Sequence, residues 1–197
     1  MTSKTVKTRT RPKRPDLPED FYAGIQSRLV RRIGRELRLA YRVLELGCGD
    51  CELAKSLREK YRQRVTGVDI SDENFPKRHV TSKKRSALRC IKANAAHLDF
   101  LRTGAVDAVV SMWALHEIED APGALRETYR VIRPGGKVLI VDFPRDSLAQ
   151  LRWDEEYYLA KEIDDLLRQA GFAEVRARTI ERNQVIWARG TRAAGDD

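Results

Sequence analysis

The chain has 197 residues, of which 42% are hydrophobic and 34% are charged. That length suits one α/β domain that buries roughly 70% of its unfolded surface, and the hydrophobic share excludes a wholly disordered chain. The 38 lysines and arginines exceed the 29 acidic residues, and the resulting net charge of +9 favours encounters with anionic partners without naming one.

Membrane insertion and secretion are both disfavoured by the sequence. No apolar run approaches the length of a membrane span, and no apolar stretch follows the basic start as it would in a signal peptide. The three cysteines cannot all pair with one another, so we do not expect a disulfide scaffold. The predicted location is therefore the reducing cytoplasm.

Two segments are basic and free of acidic residues. Residues 1–14 carry six lysines and arginines, and Pro12 and Pro15 discourage a helix there. Residues 1–17 are predicted to form a mobile basic arm. The second basic segment is Lys77–Lys92. The sequence predicts one domain over residues 18–190 with a helix at its start, followed by a tail over residues 191–197.

The chain alternates between helical and strand-like segments. Five apolar residues at steps of four follow Pro18 and predict the first helix, and Glu52–Tyr61, Ala121–Ile132 and Glu155–Ala170 are the later predicted helices. The predicted strands are Tyr41–Leu46, Arg64–Ile70, Leu88–Ala93, Asp107–Met112, Lys137–Phe143, Ala173–Ile180 and Gln184–Ala188. This order predicts an α/β fold with a doubly wound, mostly parallel sheet of seven strands and an antiparallel strand near the C-terminus.

The segment VLELGCGDCEL, residues 43–53, places a glycine-rich turn between a strand and a helix, where α/β sheets hold ligands. It lacks the third glycine of a dinucleotide fingerprint and the Gly-Lys-Ser/Thr of a P-loop. Glu45 and Asp50 would repel a diphosphate and attract a cationic group. Asp69 ends the next strand, where a carboxylate can accept hydrogen bonds from both hydroxyls of a ribose. A ligand with a ribose, a cationic head and no phosphate is S-adenosylmethionine.

Four ordered segments carry a family resemblance: VLELGCGDCEL, VTGVDIS, KANAAHLDF with VDAVVSMWALHEIED, and RVIRPGGKVLIVDF. The chain resembles the class I S-adenosylmethionine-dependent methyltransferases, and within them the small ubiquinone and menaquinone biosynthesis enzymes. The resemblance covers about residues 41–190. It implies a Rossmann-like fold and an enzyme that uses S-adenosyl-L-methionine.

The resemblance also implies roles for residues, counted in this sequence. Glu45, Gly47, Cys48 and Gly49 would surround the methionine part, and Asp69 would bind the ribose. Ile70, Asn94 and Ala95 would contact the adenine, and Ser111 and Met112 would lie beneath the sulfur. The chain departs from the family pattern at Cys51, where many relatives have glycine, and at Asn94, which replaces a common aspartate.

His116 is the predicted catalytic residue, because it follows the fourth predicted strand by four residues and the family geometry would place it over the methyl group. A capping or packing role is the alternative for this residue. Glu117, Tyr157 and Tyr158 are further candidates for a base, which is needed only when the acceptor starts protonated. Trp113 suits either the core or a substrate pocket. No second cysteine or histidine pair completes a metal set with Cys48 and Cys51, so no metal site is predicted.

The acceptor stays open at this point. A small or medium organic molecule methylated on oxygen, carbon or nitrogen is the favoured substrate. One alternative is RNA or protein docked on the basic arm and Lys77–Lys92. Another is a scaffold or activator that keeps the cofactor pocket within a complex and does not catalyse a reaction.

Overall fold

A computed structural model describes residues 16–76 and 88–194 of the chain. These residues form a seven-stranded sheet with helices on both faces. In chain order, the helices and strands are α1 (Phe21–Glu36), β1 (Arg42–Leu46), α2 (Glu52–Tyr61), β2 (Arg64–Asp69), β3 (Leu88–Lys92), β4 (Val106–Met112), α3 (Ala121–Val131), β5 (Ile132–Asp142), α4 (Leu148–Trp153), α5 (Ala160–Gln169), β6 (Ala173–Ile180) and β7 (Val185–Thr191). A short 3₁₀ turn, Leu115–Glu117, follows β4.

The strands lie in the order β3-β2-β1-β4-β5-β7-β6, and β7 is antiparallel to both of its neighbours. The pairs from β3 through β5 are all parallel, which confirms the predicted fold class. From β1 the chain continues to β2 and β3 on one side of β1, and then crosses to β4 on the other side of β1. This reversal creates a crevice at the carboxyl ends of β1 and β4, the place where such sheets bind ligands.

The helix α1 covers one face of the sheet through the apolar stripe that its sequence predicts. Phe21, Ile25, Leu29 and Ile33 are all buried, and they belong to the core layer that also includes Leu57 of α2. A second core layer lies on the opposite face, beneath α3 and α5. Two apolar layers around one sheet explain why the chain folds as an α/β sandwich.

One helix was not predicted from the sequence, and several boundaries differ from those predicted, among them the start of β5 at Ile132 and not at Lys137. The helix α5 begins at Ala160 and not at Glu155, because Arg145 binds the carbonyl oxygens of Tyr157 and Tyr158 and holds this segment out of the helix. The short helix α4 was not predicted, since six residues show no helical period. Thr191, which was assigned to the tail, is the last residue of β7.

The basic segments fall largely outside the part of the chain that the structure describes. Residues 1–15 and 77–87 are not described, and the end of the second segment forms β3. The predicted mobile arm therefore stays a prediction. Among the described helices, none combines the length and the apolar character needed to cross a bilayer.

A buried hydrogen-bond network attaches α1 to the rest of the fold. The Tyr22 hydroxyl donates to Gln184 Oε1 at 3.2 Å and accepts from the Ala149 backbone N–H at 3.0 Å. Gln184 Oε1 also accepts from the Leu148 N–H at 2.8 Å. One tyrosine thus joins α1, α4 and the turn before β7, and it fixes the height of α1 above the sheet.

We expect Tyr22→Phe to lower the free energy of unfolding by about 1–3 kcal/mol, because it leaves the buried Ala149 N–H without an acceptor. Urea denaturation of wild type and variant measures the change. Tyr41→Phe is the matched control: Tyr41 is 58% exposed, so its loss of a hydroxyl should change stability by less than about 0.5 kcal/mol. Equal stabilities of the two variants would contradict this account of the network.

Candidate functional site

The glycine-rich turn between β1 and α2 adopts a backbone that few side chains tolerate. Gly47 has φ +64°, and a Cβ there would collide with the Cβ of Ala114. The turn is tied to β2, because Cys48 N donates to the Val68 carbonyl at 3.0 Å and Gly49 N donates to Asp69 Oδ2 at 2.8 Å. The turn therefore stands at the crevice in a fixed position.

Glu45 is the buried acidic residue of this site. Its residue surface is 3% exposed, and its Oε2 atom is buried without a hydrogen-bond partner. Burial raises the pKa of Glu45 from 4.5 to about 8, and the negative charges of Asp50 and Asp69 act in the same direction. A backbone hydrogen bond from Ala54 to the carboxyl acts against this shift. A buried carboxyl with one unpartnered oxygen is suited to a cationic ligand.

A cavity of about 460 Å³ lies against the turn. Its walls include Glu45, Gly47, Cys48, Gly49 and Met112, five of the residues predicted from the sequence to contact the cofactor. The helix α1 supplies the opposite wall through Gln26, Ser27, Val30 and Arg31. The cavity is thus enclosed between the turn and α1.

Asp69 and Ile70 stand at the end of β2, beside the turn. Asp69 accepts hydrogen bonds from Gly49 N on Oδ2 and from Ser71 N on Oδ1, at 2.8 and 3.0 Å. Lone pairs remain on both oxygens for a further donor. Ile70 is 70% exposed, an unusual state for a large aliphatic side chain next to a binding loop.

The other predicted cofactor contacts lie beyond the walls of this cavity. Asn94 follows β3, and its Oδ1 accepts from Ala96 N at 2.9 Å, so this oxygen is already engaged in a turn. Ala95 is buried beside it. Ser111 is fully buried at the end of β4, and its hydroxyl has no hydrogen-bond partner.

An aromatic cluster borders the crevice. Trp113 lines the cavity and stacks on Phe143, with ring centroids 4.1 Å apart and planes 4° apart. Tyr22 of α1 packs edge-on against both rings. Trp113 therefore packs in the aromatic cluster and also forms part of the cavity wall.

His116 lies in the 3₁₀ turn after β4 and lines a second cavity of about 400 Å³, not the cavity at the glycine turn. Its Nδ1 is 2.7 Å from Asp142 Oδ1, and its Nε2 is 3.1 Å from Glu155 Oε2. Burial opposes the charged imidazole, but the hydrogen bond and charge of Asp142 outweigh it and raise the pKa of His116. Phe143 connects the two cavities, because its ring contacts both Trp113 and His116.

Two residues of this second cluster were missed from the sequence. Asp142 is the last residue of β5, and Glu155 lies in the segment that was assigned to a helix. Asp142 could have been identified from its place at the carboxyl end of a strand next to β4. Nothing in the sequence near Glu155 indicates that it reaches His116.

The remaining candidate bases differ in their surroundings. The Tyr157 hydroxyl donates to Glu155 Oε2 at 2.9 Å, and burial together with Glu155 raises the pKa of Tyr157 far above its ordinary value. Burial also raises the pKa of Glu117, whose carboxylate lies 3.8 Å from His116 Nε2. Both tyrosines precede α5 instead of lying on it, which corrects their predicted position.

The three cysteines meet beneath the glycine turn. Cys51 and Cys90 form a disulfide, whereas Cys48 is a free, buried thiol whose Sγ is 3.4 Å from that of Cys51. This disulfide was not expected from the sequence. It arises because Cys90 of β3 pairs in register with Gly67 of β2, and the missing side chain at Gly67 leaves room for the sulfur atoms.

The family comparison gives a clear result. Residues 44–140 match the family model described as a methyltransferase domain. The chain is 31% identical over 136 residues to a 2-phytyl-1,4-naphtoquinone methyltransferase of Nostoc punctiforme, covering 66% of this chain and 59% of that protein. It is 28% identical over 149 residues to the mitochondrial arginine-hydroxylase NDUFAF5 of Danio rerio, covering 76% of this chain and 43% of that protein. The chain thus spans about half the length of these relatives.

A solved structure matches nearly the whole fold. It is the complex between the Trm112 methyltransferase activator of Haloferax volcanii and a methyltransferase. The match has a TM-score of 0.68 at 18% identity and covers 90% of this chain and 95% of that chain. At this identity the likeness supports the Rossmann-like methyltransferase fold and nothing finer.

The raised pKa of Glu45 predicts a pH-dependent stability in the absence of ligand. Between pH 4.5 and about 8 the unfolded state has ionised this carboxyl while the folded state retains its proton. The folded state binds more protons there, so the contribution of Glu45 to stability falls as the pH rises. We expect Glu45→Gln to remove this part of the decline in urea denaturation between pH 5 and pH 8.

The control is Glu59→Gln, which removes an exposed carboxyl on α2 and should follow the wild-type profile. Parallel stability profiles for wild type and Glu45→Gln would show that Glu45 is ionised in the folded, ligand-free protein.

Proposed function

The chain belongs to the class I S-adenosylmethionine-dependent methyltransferases, and we propose that it methylates an oxygen, carbon or nitrogen atom of a small or medium-sized organic acceptor. The observation that carries this proposal is the buried carboxyl of Glu45, one oxygen of which has no hydrogen-bond partner, in the cavity at the glycine turn. A cavity with an acidic group and no phosphate-binding sequence suits a ligand whose polar end is cationic.

The residues around the cavity fit S-adenosylmethionine. Glu45 is proposed to bind the positively charged methionine end, beside Gly47, Cys48 and Gly49. Arg31 and Lys60 also line the cavity and would pair with the methionine carboxylate. The two ends of the methionine part thus have partners of opposite charge.

The nucleoside end is proposed to extend toward β2 and β3. The Asp69 carboxylate, at the carboxyl end of β2, would accept hydrogen bonds from the ribose hydroxyls. The exposed Ile70 would lose its contact with water by packing on the adenine, with Asn94 and Ala95 at the edge of the base. Ser111 and Met112 at the end of β4 would lie near the sulfur.

The cofactor supplies an activated methyl group, so the protein's part is chiefly positioning. The fixed glycine turn would hold the methionine end, and α1 would exclude water from one side of the cavity. Trp113 and Phe143 would offer a flat aromatic surface to the acceptor. His116, oriented by Asp142, is the side chain proposed to act on the acceptor.

The acceptor class draws support from the Nostoc punctiforme relative, whose name specifies a naphtoquinone substrate. A planar acceptor of that kind would suit the stacked pair Trp113 and Phe143. RNA or protein methylation through the basic segments stays a prediction, because residues 1–15 and 77–87 are not described. The scaffold role and the cytoplasmic location also stay predictions.

We expect the protein to bind S-adenosylmethionine and S-adenosylhomocysteine but neither NAD nor ATP. Asp69→Ala should weaken cofactor binding by about 1.5–3 kcal/mol, or roughly 10- to 150-fold, since it removes hydrogen bonds to a charged group. Isothermal titration calorimetry measures both. Glu73→Gln, an exposed change four residues along the chain, is the control and should leave the affinity unaltered. Unchanged affinity in Asp69→Ala would overturn the ribose assignment.

We expect His116→Ala to reduce kcat by roughly 10²–10⁴ without altering the affinity for S-adenosylhomocysteine. Steady-state kinetics with a panel of quinol and phenol acceptors, combined with calorimetry, separates the two quantities. The variant is also unfolded in urea, because a residue that only packs would lower stability while kcat stayed near the wild-type value. That second pattern would remove His116 from the reaction.

A further inference from the structure

Three potential metal ligands converge around the His116 ring, which lines the second cavity. His116, Glu117 and Glu155 each contribute one nitrogen or oxygen atom, and these atoms all lie within 4.8 Å of one another. The His116 side chain is only 3% exposed, while those of Glu117 and Glu155 are 65% and 47% exposed. The cluster therefore has a fixed, buried nitrogen and two carboxylates that can adjust.

The hydrogen bonds of His116 direct a lone pair at those carboxylates. Asp142 is almost fully buried, and its Oδ1 lies 2.7 Å from Nδ1 of His116. A carboxylate only accepts hydrogen bonds, so the neutral imidazole carries its proton on Nδ1 and its lone pair on Nε2. That lone pair faces Glu155 Oε2 at 3.1 Å. A proton or a metal ion on Nε2 would bridge these two atoms, and the Tyr157 hydroxyl donates to the same Glu155 oxygen at 2.9 Å.

The surrounding charges leave this cluster negative. Asp142, Glu117 and Glu155 place three carboxylates around one imidazole, so even an imidazolium would not balance them. In the part of the chain that the structure describes, no lysine or arginine pairs with Glu117 or Glu155, and Arg145 of the same cavity pairs with Glu162. A doubly charged cation would neutralise what a proton cannot.

The distances suit a metal ion. Ligand atoms about 2.1 Å from a metal and at right angles to each other are separated by about 3.0 Å, close to the 3.1 Å between His116 Nε2 and Glu155 Oε2. Glu117 Oε1, at 3.8 Å from Nε2, is on an exposed side chain that can move the remaining distance. Asp142 supplies the carboxylate that typically orients a metal-bound histidine through its other nitrogen.

We propose that His116, Glu117 and Glu155 bind a divalent first-row transition-metal ion, with Asp142 fixing the orientation of His116. One imidazole and two carboxylates offer mixed nitrogen and oxygen donors, which suit Fe²⁺, Mn²⁺, Co²⁺ or Zn²⁺, and the nitrogen ligand disfavours Mg²⁺ and Ca²⁺. No metal site was predicted from the sequence, because Cys48 and Cys51 were the residues considered as ligands. With the ion bound, His116 would act on the acceptor as a metal ligand, and the loss of kcat expected for His116→Ala would then follow from loss of the ion.

Of the three ligands, only His116 lines the cavity of about 400 Å³. Glu117 and Glu155 are exposed, so the remaining coordination positions of the ion would be open to solvent. They would hold water or, if the proposed methyltransferase function is correct, an oxygen atom of the acceptor. This second step rests on the proposed function, whereas metal binding by the three side chains does not. Binding of the metal alone is consequently the first measurement.

Tag-free protein is titrated with Co²⁺, and the visible d–d absorption and calorimetry report binding. We expect one Co²⁺ per chain, displaced by Zn²⁺. Glu155→Gln and Glu117→Gln should each weaken binding at least tenfold, and His116→Ala should abolish the spectrum. The matched control is Glu119→Gln, which removes an exposed carboxylate two residues after Glu117 and leaves the three ligands intact. Its affinity should equal that of the wild type.

Equal Co²⁺ affinity of wild type and a Glu117→Gln, Glu155→Gln double variant would overturn the metal site. Calorimetry with S-adenosylhomocysteine is performed on the same samples to confirm that each variant is folded. Cofactor binding without metal binding would reject this inference and leave the proposed function standing. Metal binding by the three residues without cofactor binding would support this inference and reject the proposed function.

Discussion

A carboxyl group buried at the carboxyl end of β1 is the constraint on which the site depends. Glu45 is removed from water with one oxygen unpartnered, so the ligand-free protein retains a proton there at neutral pH. A cation in the adjoining cavity would allow the group to ionise and would convert an unfavourable burial into a favourable pair. The turn at Gly47 and the helix α1 form walls of that cavity, so a cation bound there would lie beside Glu45.

The same constraint takes another form at the end of β5. Asp142 is buried like Glu45, but three donors satisfy it: the His116 ring, the His116 N–H and the Phe143 N–H. Asp142 therefore acts on the second cavity through His116, because it fixes the orientation of the ring that faces Glu155. Glu45 thus contributes an unpartnered oxygen beside a cavity, whereas Asp142 orients the His116 cluster through its hydrogen bonds.

The sequence predicted the parts of this molecule that local pattern determines. The apolar stripe of α1, the strands around the glycine turn and the position of Asp69 depend on neighbours within a few residues or on one strand-turn-helix unit. The contact between His116 and Glu155 depends on a segment 39 residues away that Arg145 holds in an extended form. Cys90 likewise meets Cys51 only through the register of β3 on β2. Such contacts follow from tertiary packing, which no local period encodes.

Phe143 and Asp142 are adjacent, so the end of β5 serves both cavities. The Phe143 ring packs on Trp113, which lines the cavity at the glycine turn, and the Asp142 carboxylate orients His116 in the second cavity. A substitution at this strand end would disturb both regions together, and its effect could not be assigned to either. Glu155 and Asp69 are better probes, because each contacts one region only and lies outside the aromatic cluster. The separation of cofactor binding from metal binding therefore depends on changes at the rim of each cavity and not on the strand that they share.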